Sequence, residues 1–145
     1  MKLLGMFSNN VLVAALSAWW IAQSAKVPLH YLKTHKWAWF LLLRLRPGGM
    51  PSAHSALVSA AAHAVGLYIG YNTPTFAMAF ILAIIVIYDA VGVRLQAGHH
   101  ARIINIMNPL RREPFQEVLG HTPREAFAGV LLGIVTAQFV WFIWR

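Results

Sequence analysis

Three short stretches of the chain hold residues able to bind an anion and to move protons. The first is Gly48-Gly49-Met50-Pro51-Ser52-Ala53-His54-Ser55. Its glycines, Gly49 above all, let backbone amides approach a ligand, and a helix is predicted to begin directly after them. Unpaired amides at a helix N-terminus favour an anion, and the helix dipole adds to this. Ser52 either donates to a phosphate oxygen or caps the helix; His54 can give or take a proton. The second is Tyr88-Asp89-Ala90-Val91-Gly92-Val93-Arg94. Arg94 either forks onto phosphate oxygens or reaches from the end of an apolar helix toward water, and Asp89 can position it. The third is Gly120-His121-Thr122-Pro123-Arg124-Glu125. On a helix, His121 and Glu125 share a face. A carboxylate bonded to one imidazole nitrogen fixes the tautomer and makes the other nitrogen a better nucleophile. The plainer alternative is a helix cap with an exposed glutamate, and Pro123 suits a first helical turn.

These groups are exceptions in an apolar chain. Of 145 residues, 59% are hydrophobic and only 11% charged, against about 25% charged in an average soluble domain. Lipid is therefore the expected solvent. With no cysteine, a disulfide framework, a thiolate nucleophile and a zinc-thiolate site are excluded. His99 and His100 have no carboxylate cluster beside them, so no metal site is expected, and no cofactor is implied. His63 reads as a packing group. The formal charge is +8, but the basic residues sit between apolar runs. That favours anionic headgroups or a phosphorylated substrate as partners and argues against nucleic acid.

The elements that must hold the three stretches follow from hydropathy. Apolar runs at about 7–25, 52–69, 75–93 and 123–144 predict an all-α integral membrane protein. We expect one domain of about four transmembrane helices plus an interfacial amphipathic helix. The N-terminal run reads as a retained anchor, ended by Lys26 and Pro28. Residues 29–46 mix His30, Lys33, His35 and Lys36 with Trp37, Trp39, Arg44 and Arg46, the pattern of a helix lying in the headgroup layer. Residues 94–120 read as a polar, basic connection with a short helix at about 101–107. Gly66 with Gly70, and Gly129 with Gly133, have the spacing for close helix packing and point to a homodimer. Both long connections are basic and the 71–74 turn carries no charge. The positive-inside rule then puts the basic side, with all three stretches, in the cytoplasm of a bacterial inner or an organellar membrane.

Together the three stretches resemble the type 2 phosphatidic acid phosphatase superfamily, which includes vanadium haloperoxidases. The likeness is closest to its divergent bacterial and plastid branch. Residues 48–55 match that branch's form of the Pro-Ser-x-His motif, and residues 89–98 match its Asp-to-Gly stretch. Residues 120–129 parallel the His-x-x-x-Asp ending followed by a small-residue helix. By this resemblance His121 is the nucleophile, Glu125 orients it in place of the usual aspartate, and His54 protonates the leaving alkoxide. Arg94, Ser52, the Gly49 amide and Lys26 would hold phosphate oxygens, with Asp89 in support. The implied activity is metal-independent, cofactor-free hydrolysis of a lipid phosphate monoester or diphosphate through a phosphohistidine. The alternative is a non-catalytic protein that binds or transports anionic lipids and retains a degenerate phosphate site. The chain departs from the family pattern in three places. The arginine that partners the first-motif lysine is missing at its spacing after Lys26, Val93 stands where serine is usual, and 26 residues separate Arg94 from His121. His100 lies at the ordinary short gap after Arg94, but Ile104, four residues on, cannot orient an imidazole.

Overall fold

The structure, a computed structural model, describes residues 8–35, 49–110 and 112–145. Every regular element among them is an α-helix: α1 Asn10–Thr34, α2 Ala53–Tyr68, α3 Pro74–Val91, α4 Val93–Met107 and α5 Pro123–Trp144. The starts are set by side chains that accept from otherwise unpaired amides. Asn9 accepts from Val11 and Leu12, Ser52 from Ser55, Thr73 from Phe76 and Thr122 from Glu125. Pro74 and Pro123 occupy first turns, where the missing amide costs nothing.

Helix α2 is central and packs against α1, α3 and α5. The seam is built from small side chains: Ala14, Ala18 and Ala22 of α1, Ala53, Ala56, Ala60 and Ala64 of α2, and Ala137 with Val140 of α5. Spacings of three or four residues keep each set on one helix face. Gly129 and Gly133 bring the α5 backbone onto α2. A Cβ at Gly129 would overlap the Ser52 carbonyl oxygen, and one at Gly133 would overlap Ser59 Oγ and the Ala56 carbonyl oxygen. Gly66 is covered by the Tyr71 ring. Gly66, Gly129 and Gly133 are thus engaged inside one chain, while a Cβ at Gly70 would meet only the Thr73 methyl group at 3.6 Å.

Large side chains point the other way. Phe80, Ile81, Leu82, Ile84 and Ile85 of α3 are exposed, as are Phe127, Leu131, Val135, Phe139 and Phe142 of α5. In water such a surface would be an association liability. Small residues inside and large apolar ones outside is the packing expected where lipid replaces water and close backbone approach holds helices together. Two helical stretches, Pro74–Met107 and Pro123–Trp144, are long and apolar enough to cross a membrane. Helix α2 has 16 residues and spans only about 24 Å at 1.5 Å per residue, short of a hydrocarbon core of about 30 Å.

Two expectations are corrected. Lys26 and Pro28 do not end the first helix, which continues to Thr34 with Pro28 inside it. Proline removes one backbone bond, but Val27 is buried, and its packing holds the chain helical through that position. Residues 29–34 therefore belong to α1. The rest of the expected interfacial helix, 36–46, lies outside the described residues, as does Gly48. The second correction concerns the connection after α3: α4 begins at Val93, directly after Gly92, rather than near residue 101.

The segment after α4 folds back along it. Asn105 Nδ2 donates to the Phe115 carbonyl at 2.9 Å and to Glu117 Oε1 at 3.0 Å. The Phe115 amide donates to Asn105 Oδ1 at 2.9 Å. Gly98 admits the Glu117 carbonyl where a Cβ would stand, and Gly120 packs on the backbone of Leu95 and Ala90. The out-and-back path returns residue 120 to the end of α3.

Candidate active site

The site lies where α2 and α5 begin and α3 ends. His54 is in the first turn of α2 and Arg94 in the first turn of α4. His121 precedes the α5 cap, and its amide donates to the Ala90 carbonyl at 3.0 Å. A second backbone tie, Ser52 N–H to the Glu125 carbonyl at 3.0 Å, joins the start of α2 to the first turn of α5. His54, Arg94 and His121 line one cavity of about 20 Å³ with Asp89, Ala90, Val86 and Leu119. That volume accommodates about one water molecule. Arg94 is the adjustable wall: its side chain is 55% exposed, and its Nε donates to Asp89 Oδ2 at 2.5 Å.

His121 is 3% exposed. Its Nδ1 is buried without a formed hydrogen bond and faces Glu125 Oε2 at 3.4 Å. The same carboxylate oxygen accepts from the Thr122 amide at 2.9 Å, completing a capping box with Thr122 Oγ1. The two readings of Glu125 therefore coexist in one side chain: it caps α5 and stands beside the imidazole. A proton on Nδ1 would face the carboxylate and leave the Nε2 lone pair free to attack. Burial is the main reason that the His121 pKa lies below its ordinary 6.5. The positive charge of Lys26 lowers it further, and Glu125 opposes both. The outcome favours the neutral imidazole, the form a nucleophile needs.

Not every residue singled out in the sequence reaches the cavity wall. Ser52 is fully buried, its Oγ accepting from the Ser55 amide at 3.3 Å and the Ser55 hydroxyl at 3.0 Å. It acts as the helix cap of the plainer reading and is absent from the cavity lining. Gly49 has φ +82 and open space around it, and it too stands off the lining. Lys26, on α1, is near enough for its charge to act on both His54 and His121. Sequence reasoning missed the Ala90 carbonyl that anchors His121, the contact of Gly120 with Leu95, and the Asn105 clamp. Gly98 and Gly120, flanking a polar stretch, were the available signal for a tight return.

The chain belongs to the divergent PAP2 family, which it matches over residues 7–136. It is also similar to YuiD of Bacillus subtilis (strain 168), whose name describes an uncharacterized membrane protein. The two are 36% identical over 148 residues, an overlap that takes in 90% of this chain and 92% of that one. No solved structure matches it.

Proposed function

From membership of the divergent PAP2 family we propose that this chain is an integral membrane phosphatase acting on a lipid phosphate monoester or diphosphate. His121 Nε2 attacks phosphorus, the P–O bond to the lipid breaks, and His54 gives its proton to the departing alkoxide. Water then attacks the phosphohistidine, His54 takes its proton, and inorganic phosphate leaves. Arg94 and Lys26 balance charge on the equatorial oxygens, which is the main demand of phosphoryl transfer. Ser52 caps the helix that carries His54, the Gly49 amide lies in the turn that leads into it, and Asp89 sets the direction of Arg94.

The observation that carries this reading is the single cavity shared by His54, Arg94 and His121, groups drawn from α2, α4 and the entry to α5. Four crossings, with α1 and a short α2 that requires local thinning of the bilayer joining the two strongly apolar stretches, and a cytoplasmic site complete the proposal. The site would then meet lipids made in the cytoplasmic leaflet. The test is phosphate release from a panel of lipid phosphates in detergent, with vanadate as inhibitor and with His121→Ala and His54→Ala. Vanadate-sensitive release that disappears in His121→Ala is expected; wild-type turnover in that variant refutes the assignment.

One observation favours a second reading, a non-catalytic protein that binds or transports anionic lipid. His121 Nδ1 is 3.4 Å from Glu125, and that carboxylate is already engaged by the helix cap. No phosphate release together with retained, salt-sensitive binding of phosphatidic acid would select it.

A further inference from the structure

A second cavity, of about 170 Å³, lies between α2, α3 and α5 on the side away from the Arg94 end of the site. Ser59 and Ala62 of α2, Phe76, Ala83 and Ile87 of α3, and Ile134 of α5 line it. Phe80 and Ile84, which also line it, are half exposed on the outside of the bundle. The few polar groups on its wall are engaged with the protein. Ser59 Oγ donates to the Ser55 carbonyl at 2.6 Å. His63 Nδ1 is paired with the Tyr71 hydroxyl at 3.0 Å, and its Nε2 with Gln138 Oε1 at 3.3 Å. A polar ligand would find no waiting partner there, whereas a hydrocarbon would.

We infer that this groove holds one hydrocarbon chain of the lipid whose phosphate enters the His121 cavity. The inference rests on the lipid-phosphatase reading. Two observations tie groove to site. Helices α2 and α3 line both, with Val86 and Ala90 of α3 facing the phosphate cavity and Ala83 and Ile87 the groove. The groove also has a leaflet's depth. Phe76 and Ile87 are eleven residues apart, roughly 16 Å along a helix, and half of a 30 Å hydrocarbon core is about 15 Å. A lipid held by its phosphate at the membrane face would lay one chain along α3 and end near the Tyr71–His63 pair. At about 170 Å³ the groove encloses part of such a chain and leaves the remainder in contact with bulk lipid.

Two experiments test this with the full-length protein. Ala83→Phe places a ring in the groove, at a residue that does not line the phosphate cavity. The kcat/KM for a long-chain phosphatidic acid should fall about tenfold or more, as expected when two or so methylenes are denied burial. Turnover of a water-soluble aryl phosphate should stay at the wild-type value. Equal turnover of both substrates in the variant and the wild type overturns the inference and leaves the phosphatase reading standing. The second experiment needs no catalysis: a phosphatidic acid with a mid-chain diazirine is photolysed on the wild type and on Arg94→Ala. Labelling of α2, α3 or α5 at the groove that is lost in Arg94→Ala supports the inference, even if Ala83→Phe fails to fold. Labelling elsewhere, or undiminished in Arg94→Ala as bulk lipid would give, overturns it. A wild type that labels the groove but releases no phosphate defeats only the enzyme reading.

Discussion

Gly120→Ala tests whether the backbone tie at Ala90 sets the position of His121, the proposed nucleophile. The added Cβ would overlap Leu95 N and Cα and would stand 2.9 Å from the Ala90 carbonyl oxygen. All three obstacles are backbone atoms, so no side-chain rotation relieves the contact. Carbon prefers neighbours at about 3.5–4.0 Å, so the segment carrying His121 must withdraw by about 1 Å. That shift breaks the 3.0 Å bond from the His121 amide to Ala90. Overpacking costs about 1–3 kcal/mol and the lost hydrogen bond about 1 kcal/mol, so stability should fall by about 2–4 kcal/mol. A displacement of that size at a reacting group costs about a hundredfold in rate. Thermal denaturation in detergent reads the first quantity, and phosphate release below the unfolding temperature reads the second. Gly70→Ala is the control. Its φ of +115 makes alanine cost about 1–3 kcal/mol in backbone strain, but it lies at the opposite end of α2. It should lose stability and keep kcat. Wild-type kcat/KM in Gly120→Ala would refute the claim that this packing positions His121.

Three further outcomes follow from the same geometry. Because burial and Lys26 lower the His121 pKa, the acid limb of kcat/KM should lie below pH 6.5. Lys26→Met removes a lowering influence and should move the limb to higher pH, whereas Glu125→Gln removes the opposing one and should move it lower; a limb indifferent to both variants contradicts the assignment of His121. Arg94→Ala should reduce kcat/KM by about a hundredfold or more, the usual effect of deleting a donor to developing negative charge. Asp89→Asn, which only frees that donor, should cost less than Arg94→Ala, and the reverse order in measured kcat/KM would show that Asp89 has another function. Asn105→Ala removes three hydrogen bonds and should destabilise the return segment by about 1–3 kcal/mol. Hydrogen exchange at residues 113–119 should accelerate while α2 stays protected, and unchanged exchange would place the hold on this segment elsewhere.

The three motifs were more legible in the sequence than the path between them. Period and polarity located the starts of α2, α3 and α5, because Ser52, Thr73 and Thr122 are local caps whose partners lie within three residues. Membership of the divergent PAP2 family was legible in the three motifs. The extent of α1 was not, because its continuation past Pro28 depends on burial of Val27 by tertiary packing. Nor was the role of Ser52: its hydroxyl fits a cap and an anion donor equally until the depth of its burial is known. The long gap between Arg94 and His121 was the largest obstacle. Thermodynamically it is a small one, since lengthening a closed loop from about 6 to 26 residues costs only about 1.3 kcal/mol by the logarithmic rule. What closes the excursion is a pair of glycines, Gly98 and Gly120, and a clamping asparagine, none of which a hydropathy profile weights.

The small-residue seam and the site form one mechanical unit. Gly129 brings the α5 backbone against the Ser52 carbonyl, while the Ser52 amide bonds to the Glu125 carbonyl one turn earlier on α5. The register of α5 on α2 is therefore set by the residues that open both helices. His54 lies two residues after Ser52, and His121 four residues before Glu125, so the same register fixes how far the proposed proton donor stands from the proposed nucleophile. A larger residue at position 129 or 133 would separate the two helices along their length and widen the imidazole pair without touching either ring. In a core of alanines, with its large side chains turned outward, little adjustable packing remains to absorb such a change. For this reason the glycines remote from the chemistry carry as much of the site geometry as the histidines that would perform it.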